Sequence, residues 1–269
     1  MFAKSHSLLL AACGGSAILA LSCGSFAGAA VIYNDPLTGY TPGANLNGDV
    51  PGPAGNTNAW IAPVNNSPSL WETNSSGAYT SSTGNENAFL PFTPSTGYVY
   101  TLRATITNTT VGSSWAAIGF ENFPSGPTTS DLTGVPWQGS GGYGWTLIRG
   151  ATGGADQAFV GPGASSGTNV GTVGTTDPIT VAITLTTNAD SPWTIAYQYT
   201  DANTPGNSSV VASQPFNPII TDVGFGASGV NATVTNFSLT ATPVPEPASL
   251  GLVAISGLGM LLLKRRWTA

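Results

Sequence analysis

From Val31 onward the chain is written in short segments of alternating apolar and polar residues. The clearest runs from Tyr98 to Thr107. Tyr98, Tyr100, Leu102, Ala104 and Ile106 fall on one face, and Val99, Thr101, Arg103, Thr105 and Thr107 on the other. A period of two with β-branched residues predicts a half-buried antiparallel strand. Asn108 to Gly112 reads as its turn, and Trp115 to Phe120 as the returning strand. Ile179, Val181, Ile183 and Leu185 alternate with Thr180, Ala182, Thr184 and Thr186. Trp193, Ile195, Tyr197 and Tyr199 follow the same rule after a turn at Asn188 to Pro192, so these two runs predict a hairpin. Gly144 to Arg149 and Gln157 to Val160 are further strands about the turn Gly153-Gly154. Ile219 to Phe225 and Ala232 to Leu239 close the series, and a change of phase between Val234 and Phe237 predicts a bulge near Asn236.

No helical periodicity interrupts Val31 to Ala241. About a dozen short strands with frequent turns predict an all-β, two-sheet antiparallel sandwich. The segments between strands are rich in Gly, Pro, Ser, Thr and Asn. Two of them are long, Asn34 to Asn58 and Glu121 to Gly142, and the second carries Trp137.

Charge narrows the function. Only 7% of the 269 residues are charged, against about a quarter in ordinary domains. Between Val31 and Ala241 two basic residues, Arg103 and Arg149, stand against eleven acids, a net charge of −9. Nucleic-acid binding needs a basic footprint, so nucleic acid is excluded as a partner. The single histidine, His6, and both cysteines, Cys13 and Cys23, precede Val31. Ser/His/Asp and Cys/His catalysis, His or Cys metal sites and disulfides are therefore not expected in the sandwich.

Both ends differ from this middle. Residues 1–30 combine Lys4, an apolar stretch from Leu8 to Leu21 and small residues around Ala29, the pattern of a secretory signal peptide forming a short helix. The competing reading is a lipidated Cys13 after Leu10-Ala11-Ala12, with a short apolar run before it. Residues 242–269 hold Val244-Pro245-Glu246-Pro247, an apolar run over 248–263 that suits a transmembrane helix, and the basic end Lys264-Arg265-Arg266. Those cations stay cytoplasmic by the positive-inside rule, which leaves residues 31–241 outside.

Two resemblances attach to these residues. Leu46-Asn47-Gly48-Asp49-Val50-Pro51 before Trp60, the run Tyr98 to Phe120 ending Trp115-Ala116-Ala117-Ile118-Gly119-Phe120, and Val223-Gly224-Phe225-Gly226 with Val234 to Leu239 together resemble concanavalin A-like (LamG-like) jelly-roll domains of bacterial surface proteins. In that family the second and third features are strand pairs. The tail resembles the PEP-CTERM sorting signal, whose Pro-Glu-Pro element is recognised by an exosortase, a membrane protease-transpeptidase. That resemblance implies a Gram-negative-type bacterium making exopolysaccharide, transient residence in the inner membrane, and release to the outer surface or the medium. A plain membrane anchor is the alternative, though an anchor has no need of Pro245-Glu246-Pro247.

Candidate chemistry is sparse. Glucanases of the resembling fold place two carboxylates two apart on one strand; no strand here does, so no catalytic residue is assigned. Asn45, Asn47 and Asp49 set oxygen donors at alternate positions, which suits either an Asx turn or a calcium ion; no cofactor is otherwise expected. Trp137, with Tyr143 after Gly141-Gly142, could stack on sugar or fold back as a plug. The resulting expectation is a non-enzymatic, surface-sorted protein with a structural or interaction role in an extracellular matrix. The alternative is a lectin-like module binding polysaccharide, with a glycan hydrolase third.

Overall fold

The computed structural model describes residues 28–64, 71–80, 84–110, 112, 114–139, 141–161, 167–173, 176–188, 192–201, 207–213, 217–229 and 231–244. Residues 1–27 of the leader, Pro245, Glu246 and Pro247, the apolar run and Lys264, Arg265 and Arg266 lie outside these residues. Among the described residues no helix is long and apolar enough to cross a membrane.

The described chain forms an all-β, two-sheet antiparallel sandwich. Its strands are β1 (Ala30–Asp35), β2 (Glu72–Asn74), β3 (Gly77–Thr80), β4 (Asn85–Pro91), β5 (Tyr98–Asn108), β6 (Trp115–Glu121) and β7 (Tyr143–Arg149). They continue with β8 (Ala155–Phe159), β9 (Thr168–Val173), β10 (Ile179–Thr187), β11 (Thr194–Asp201), β12 (Asn207–Ser213), β13 (Asp222–Ser228) and β14 (Ala232–Pro243). One sheet runs β12-β11-β10-β5-β14-β3-β2, with β1 also on β14. The other runs β4-β13-β6-β7-β8-β9.

Alternation builds both inner faces. Tyr100, Leu102, Ala104 and Ile106 of β5 meet Ile183, Tyr197, Phe225, Phe237 and Leu239 in one core. Tyr197 donates its hydroxyl to Phe159 O at 2.5 Å and Tyr199 to Gln157 O at 3.2 Å, which tie the larger sheet to β8 across the interior. The predicted β10–β11 hairpin forms with Val181 opposite Tyr199 and Leu185 opposite Ile195. The predicted bulge is present: the β5–β14 register shifts between Thr235 and Ser238, and Asn236 stands at φ 53°. A left-handed asparagine is tolerated because its short side chain adds little steric conflict.

Two expected strand pairs are corrected. β5 pairs with β10 and β14 in the larger sheet, whereas β6 pairs with β7 and β13 in the smaller. β13 and β14 are likewise split between sheets. The reason lies in burial. The outward residues of β5 are polar and reach solvent, while every residue of β6 is buried. A strand buried on both faces needs cover on both. β6 finds it in the opposite sheet and in the segment 122–142.

Candidate functional site

The sandwich has two outer faces, and they are built differently. On the smaller sheet Gly119, Gly224, Gly226 and Ala117 point outward, leaving a trough. Segment 122–142 fills it. A one-turn helix, α1 (Thr129–Leu132), and a 3-10 turn over Pro136–Gln138 deliver Trp137 onto the glycines. A Cβ at Gly226 would lie 2.0 Å from Asn87 Oδ1 and 2.6 Å from Trp137 Nε1, so only glycine admits this packing. Trp137 Nε1 donates to Asn87 Oδ1 at 2.7 Å, and Asn87 Nδ2 donates to Asp131 O at 2.9 Å and Gly134 O at 3.0 Å. One buried amide thus fastens the whole segment. Phe89, Trp115, Phe123, Trp145, Leu147 and Phe159 complete this second apolar cluster.

The sugar-binding expectation for Trp137 and Tyr143 is therefore corrected. Trp137 is 0% exposed. Tyr143 begins β7, is half-buried and packs toward the main core. The structure does not bring the two together on an open surface. Burying an indole that finds an acceptor is more favourable than leaving it in water.

Asn45, Asn47 and Asp49 form an Asx turn. Asn45 Oδ1 accepts from Asn47 N at 2.8 Å, and its Nδ2 donates to Pro63 O at 2.8 Å. Asn47 Oδ1 accepts from Ala62 N at 3.0 Å. Both amide oxygens accept backbone N–H groups, while Asp49 Oδ2 is buried with no hydrogen-bond partner among the described residues. Burial raises the Asp49 carboxyl, and the Asp35 charge adds to it.

The structure also creates a carboxylate pair that the sequence reading lacked. Glu121 of β6 and Asp222 of β13 stand directly opposite each other on the outer side of the smaller sheet. They are 0% and 3% exposed. Burial pushes Glu121 well up, and the nearby Asp131 and Asp222 charges add to it. The Asn122 N–H opposes the rise and outweighs either charge, although it is itself donated to Gly141 O at 3.0 Å. Neither carboxylate oxygen of Glu121 has a hydrogen-bond partner among the described residues. Burial likewise raises Asp222 to about 6, with Thr221 Oγ1 donating to it at 2.6 Å. A glycosidase pair must flank a cleft that admits substrate. Here the Gly141 backbone roofs the pair, so close that a Cβ there would sit 2.8 Å from Glu121 Oε2. Because 101 positions separate these two acids, only strand topology reveals them.

The outer face of the larger sheet is open. Across β14, β5, β10 and β11 one row reads Thr235, Thr105, Thr180, Thr200, and a second reads Thr240, Thr101, Thr184, Ala196. Between them lies Ser238, Arg103, Ala182, Gln198, extended by Asn34 of β1. No outward residue of β5, β10, β11 or β14 is acidic. Neighbouring strands set hydroxyls about 4.8 Å apart, and Thr105 Oγ1 lies 3.0 Å from Thr180 Oγ1. The bulge at Asn236 breaks this flat surface. Asn34, Pro36, Arg103, Thr105, Thr180, Asn236 and Ser238 surround a depression of about 420 Å³ there. Arg103 is exposed and has no hydrogen-bond or ion-pair partner among the described residues. Sequence reading noted Arg103 and the bulge separately. Nothing in sequence order shows that they meet.

Comparison with protein-family models and with curated proteins finds no match. Among solved structures the chain is similar to the carbohydrate recognition domain of Emp47p, with 12% identity, 78% of this chain and 95% of that chain covered, and a TM-score of 0.45. It is similar to a legume lectin-like domain from Entamoeba histolytica, with 8% identity, 70% and 90% covered, and a TM-score of 0.44. The alginate lyase Aly36B in complex with an alginate trisaccharide gives 12% identity, 82% and 100% covered, and 0.42. Values of this size make no statement about ligand or chemistry.

Proposed function

We propose that this chain is a secreted, non-catalytic carbohydrate-binding protein whose ligand lies on the outer face of the larger sheet. One observation carries the reading: a broad sheet face left open, ruled with hydroxyl and amide groups, free of acids along its four central strands, and indented beside its one cation. Regular hydroxyl rows suit an extended polysaccharide, which presents its own hydroxyls at a repeat similar to the strand spacing. Trp137 and Glu121 are both buried, so neither an indole platform at Trp137 nor hydrolysis at Glu121 enters the reading.

Delivery follows the ends of the chain. The leader and Val244-Pro245-Glu246-Pro247 with Lys264, Arg265 and Arg266 support export, exosortase processing and a place at the outer surface of an exopolysaccharide producer. The last described backbone hydrogen bond of the sandwich, Val244 N–H to Gly97 O at 2.8 Å, comes directly before Pro245. The concanavalin A-like assignment belongs to the same proposal, supported by the motifs from Leu46 to Leu239.

The test is affinity electrophoresis of the full chain through gels containing soluble polysaccharides, beside a Thr101→Glu variant. Thr101 points outward at the centre of the face. Retardation by at least one polysaccharide that the variant loses supports the reading. Absence of retardation on a broad neutral and acidic panel refutes it.

A further inference from the structure

We propose that the Arg103 depression is a subsite for an oxyanion carried by a sugar, a uronate carboxylate or a sulfate ester. The inference rests on the reading of this face as a carbohydrate surface and assigns the ligand its charge.

The argument is one of donors and acceptors. Arg103 brings five N–H groups in a planar fork that accepts two oxygens of one anion side by side. It stands exposed, without a described partner. Around it Asn34 and Asn236 bring amides, and Thr105, Thr180 and Ser238 bring hydroxyls. Thr105 and Thr180 share one hydrogen bond with each other, which leaves one of their two hydroxyl protons free beside the Asn34, Asn236 and Ser238 donors, and no carboxylate lines the depression. The bulge is what makes the place. By shifting register between Thr235 and Ser238 it turns the exposed Asn236 out of the ladder, beside Arg103, which pairs with Ser238. Bulges are a standard way to re-aim a side chain at a site.

None of the described acids lines the depression, and Asp35, Glu86, Glu121, Asp156 and Asp222 are buried elsewhere. Arg103 and Arg149 are the only basic residues of 31–241, so attraction for an anion on this face is confined to this one spot. That arrangement selects a sugar whose anion reaches the depression, rather than any acidic polymer.

The experiment uses the full chain with three soluble polymers of similar length: a polyuronate, a sulfated glucan and the same glucan unsulfated. The wild-type chain is expected to bind one of the anionic polymers more tightly than the neutral one, and whichever it prefers names the anion. Arg103→Gln should weaken that binding roughly ten- to a hundredfold, the worth of a charge-assisted hydrogen-bond pair, and leave neutral binding unchanged. Arg103→Lys should recover part of it, keeping charge but losing the fork. Asn236→Gly keeps the bulge, since glycine suits φ 53°, and should cost a smaller factor while the fold is preserved. Equal binding of anionic and neutral polymers, or anionic binding that Arg103→Gln leaves intact, overturns the subsite while the carbohydrate face stands. Loss of all binding in Thr101→Glu, with Arg103→Gln affecting only the anionic polymer, supports both.

Discussion

Acidification should stabilise this protein, an unusual direction that its buried acids require. No histidine lies between Val31 and Ala241, so titration there between about pH 4 and pH 8 comes from carboxylates raised by burial. Asp156 is raised to about 7, chiefly by burial, with the Arg149 N–H at 2.8 Å and the Arg149 charge pulling it back. Asp222 is raised to about 6, and Glu121 well above 4.5, by burial first in both cases. The sign follows from proton counts. Within the window between unfolded and folded values the native state holds more protons, so unfolding free energy falls as pH rises. The stabilisation is complete below about pH 4 and is lost by about pH 7. Asp222 moves two units and Asp156 three, from 3.8; at ~1.4 kcal/mol per unit these are ~3 and ~4 kcal/mol. Glu121 and Asp222 titrate as a pair, so their contributions do not simply add. A change of several kcal/mol is comparable with the whole stability of an ordinary domain. Urea denaturation of the full chain at constant ionic strength, followed by tryptophan fluorescence from pH 4.5 to 7.5, should show the midpoint falling steadily. Glu121→Gln removes the buried ionisable group and cannot titrate. That variant should be flatter with pH and more stable than the wild type near neutrality by about 1–3 kcal/mol. A midpoint that rises from pH 4.5 to 7.5, or an unchanged slope in Glu121→Gln, would refute the reasoning.

Three further expectations concern the plug, the Asx turn and the tail. Trp137→Ala removes a fully buried indole and leaves Asn87 Oδ1 without its donor; it should cost about 3–5 kcal/mol in urea unfolding, and a loss under 1 kcal/mol would mean the segment is not fastened there. Since the Asn45 and Asn47 oxygens already accept backbone N–H groups, millimolar calcium or a chelator should leave the melting temperature within about 1 °C, and a calcium-dependent rise abolished by Asn47→Ala would restore the metal reading. Pro245→Ala with Pro247→Ala should hold the protein in the inner-membrane fraction if an exosortase cuts there. Identical fractionation of variant and wild type would reduce the tail to a plain anchor.

What could be read from the sequence follows from what alternation encodes. Along β5, β10 and β11 it marks which side chains face inward, and from Tyr100 to Ile106, Ile179 to Leu185 and Ile195 to Tyr199 those residues are buried, whereas Tyr98 at the start of β5 is exposed. The phase change before Phe237 located the bulge for the same reason. Alternation does not encode a partner. Trp115 to Phe120 follows a turn after β5, and sequence order makes the two neighbours; only the burial of both faces of β6 sends it to the other sheet. The site suffers from this blindness more than the fold does. Trp137 sits in a polar, Pro- and Gly-rich stretch that reads as exposed, and its acceptor, Asn87, lies 50 positions away. Glu121 meets Asp222 only through the β6–β13 register.

The two outer faces, taken together, decide where a ligand can go. The outward glycines of the smaller sheet leave room above their strands, and a groove of small residues over apolar strands is an ordinary place for a ligand. Here the chain fills it with its own indole, bonded through one amide that also holds the backbone of the covering segment. Opening it would expose Trp137, Trp145 and Phe123 and uncover the Glu121–Asp222 pair. The first change opposes opening through apolar area, whereas the second, which returns two raised carboxyls to water, favours it near neutrality. A ligand entering there would have to displace contacts as good as its own. The larger sheet requires no such displacement. Along its four central strands the threonines offer hydroxyls with no acidic group among them, Tyr79 and Glu72 standing at the β3–β2 edge, and its one cation faces solvent at a bulge. On this physical ground the open face, rather than the glycine-lined one, is where binding should be sought.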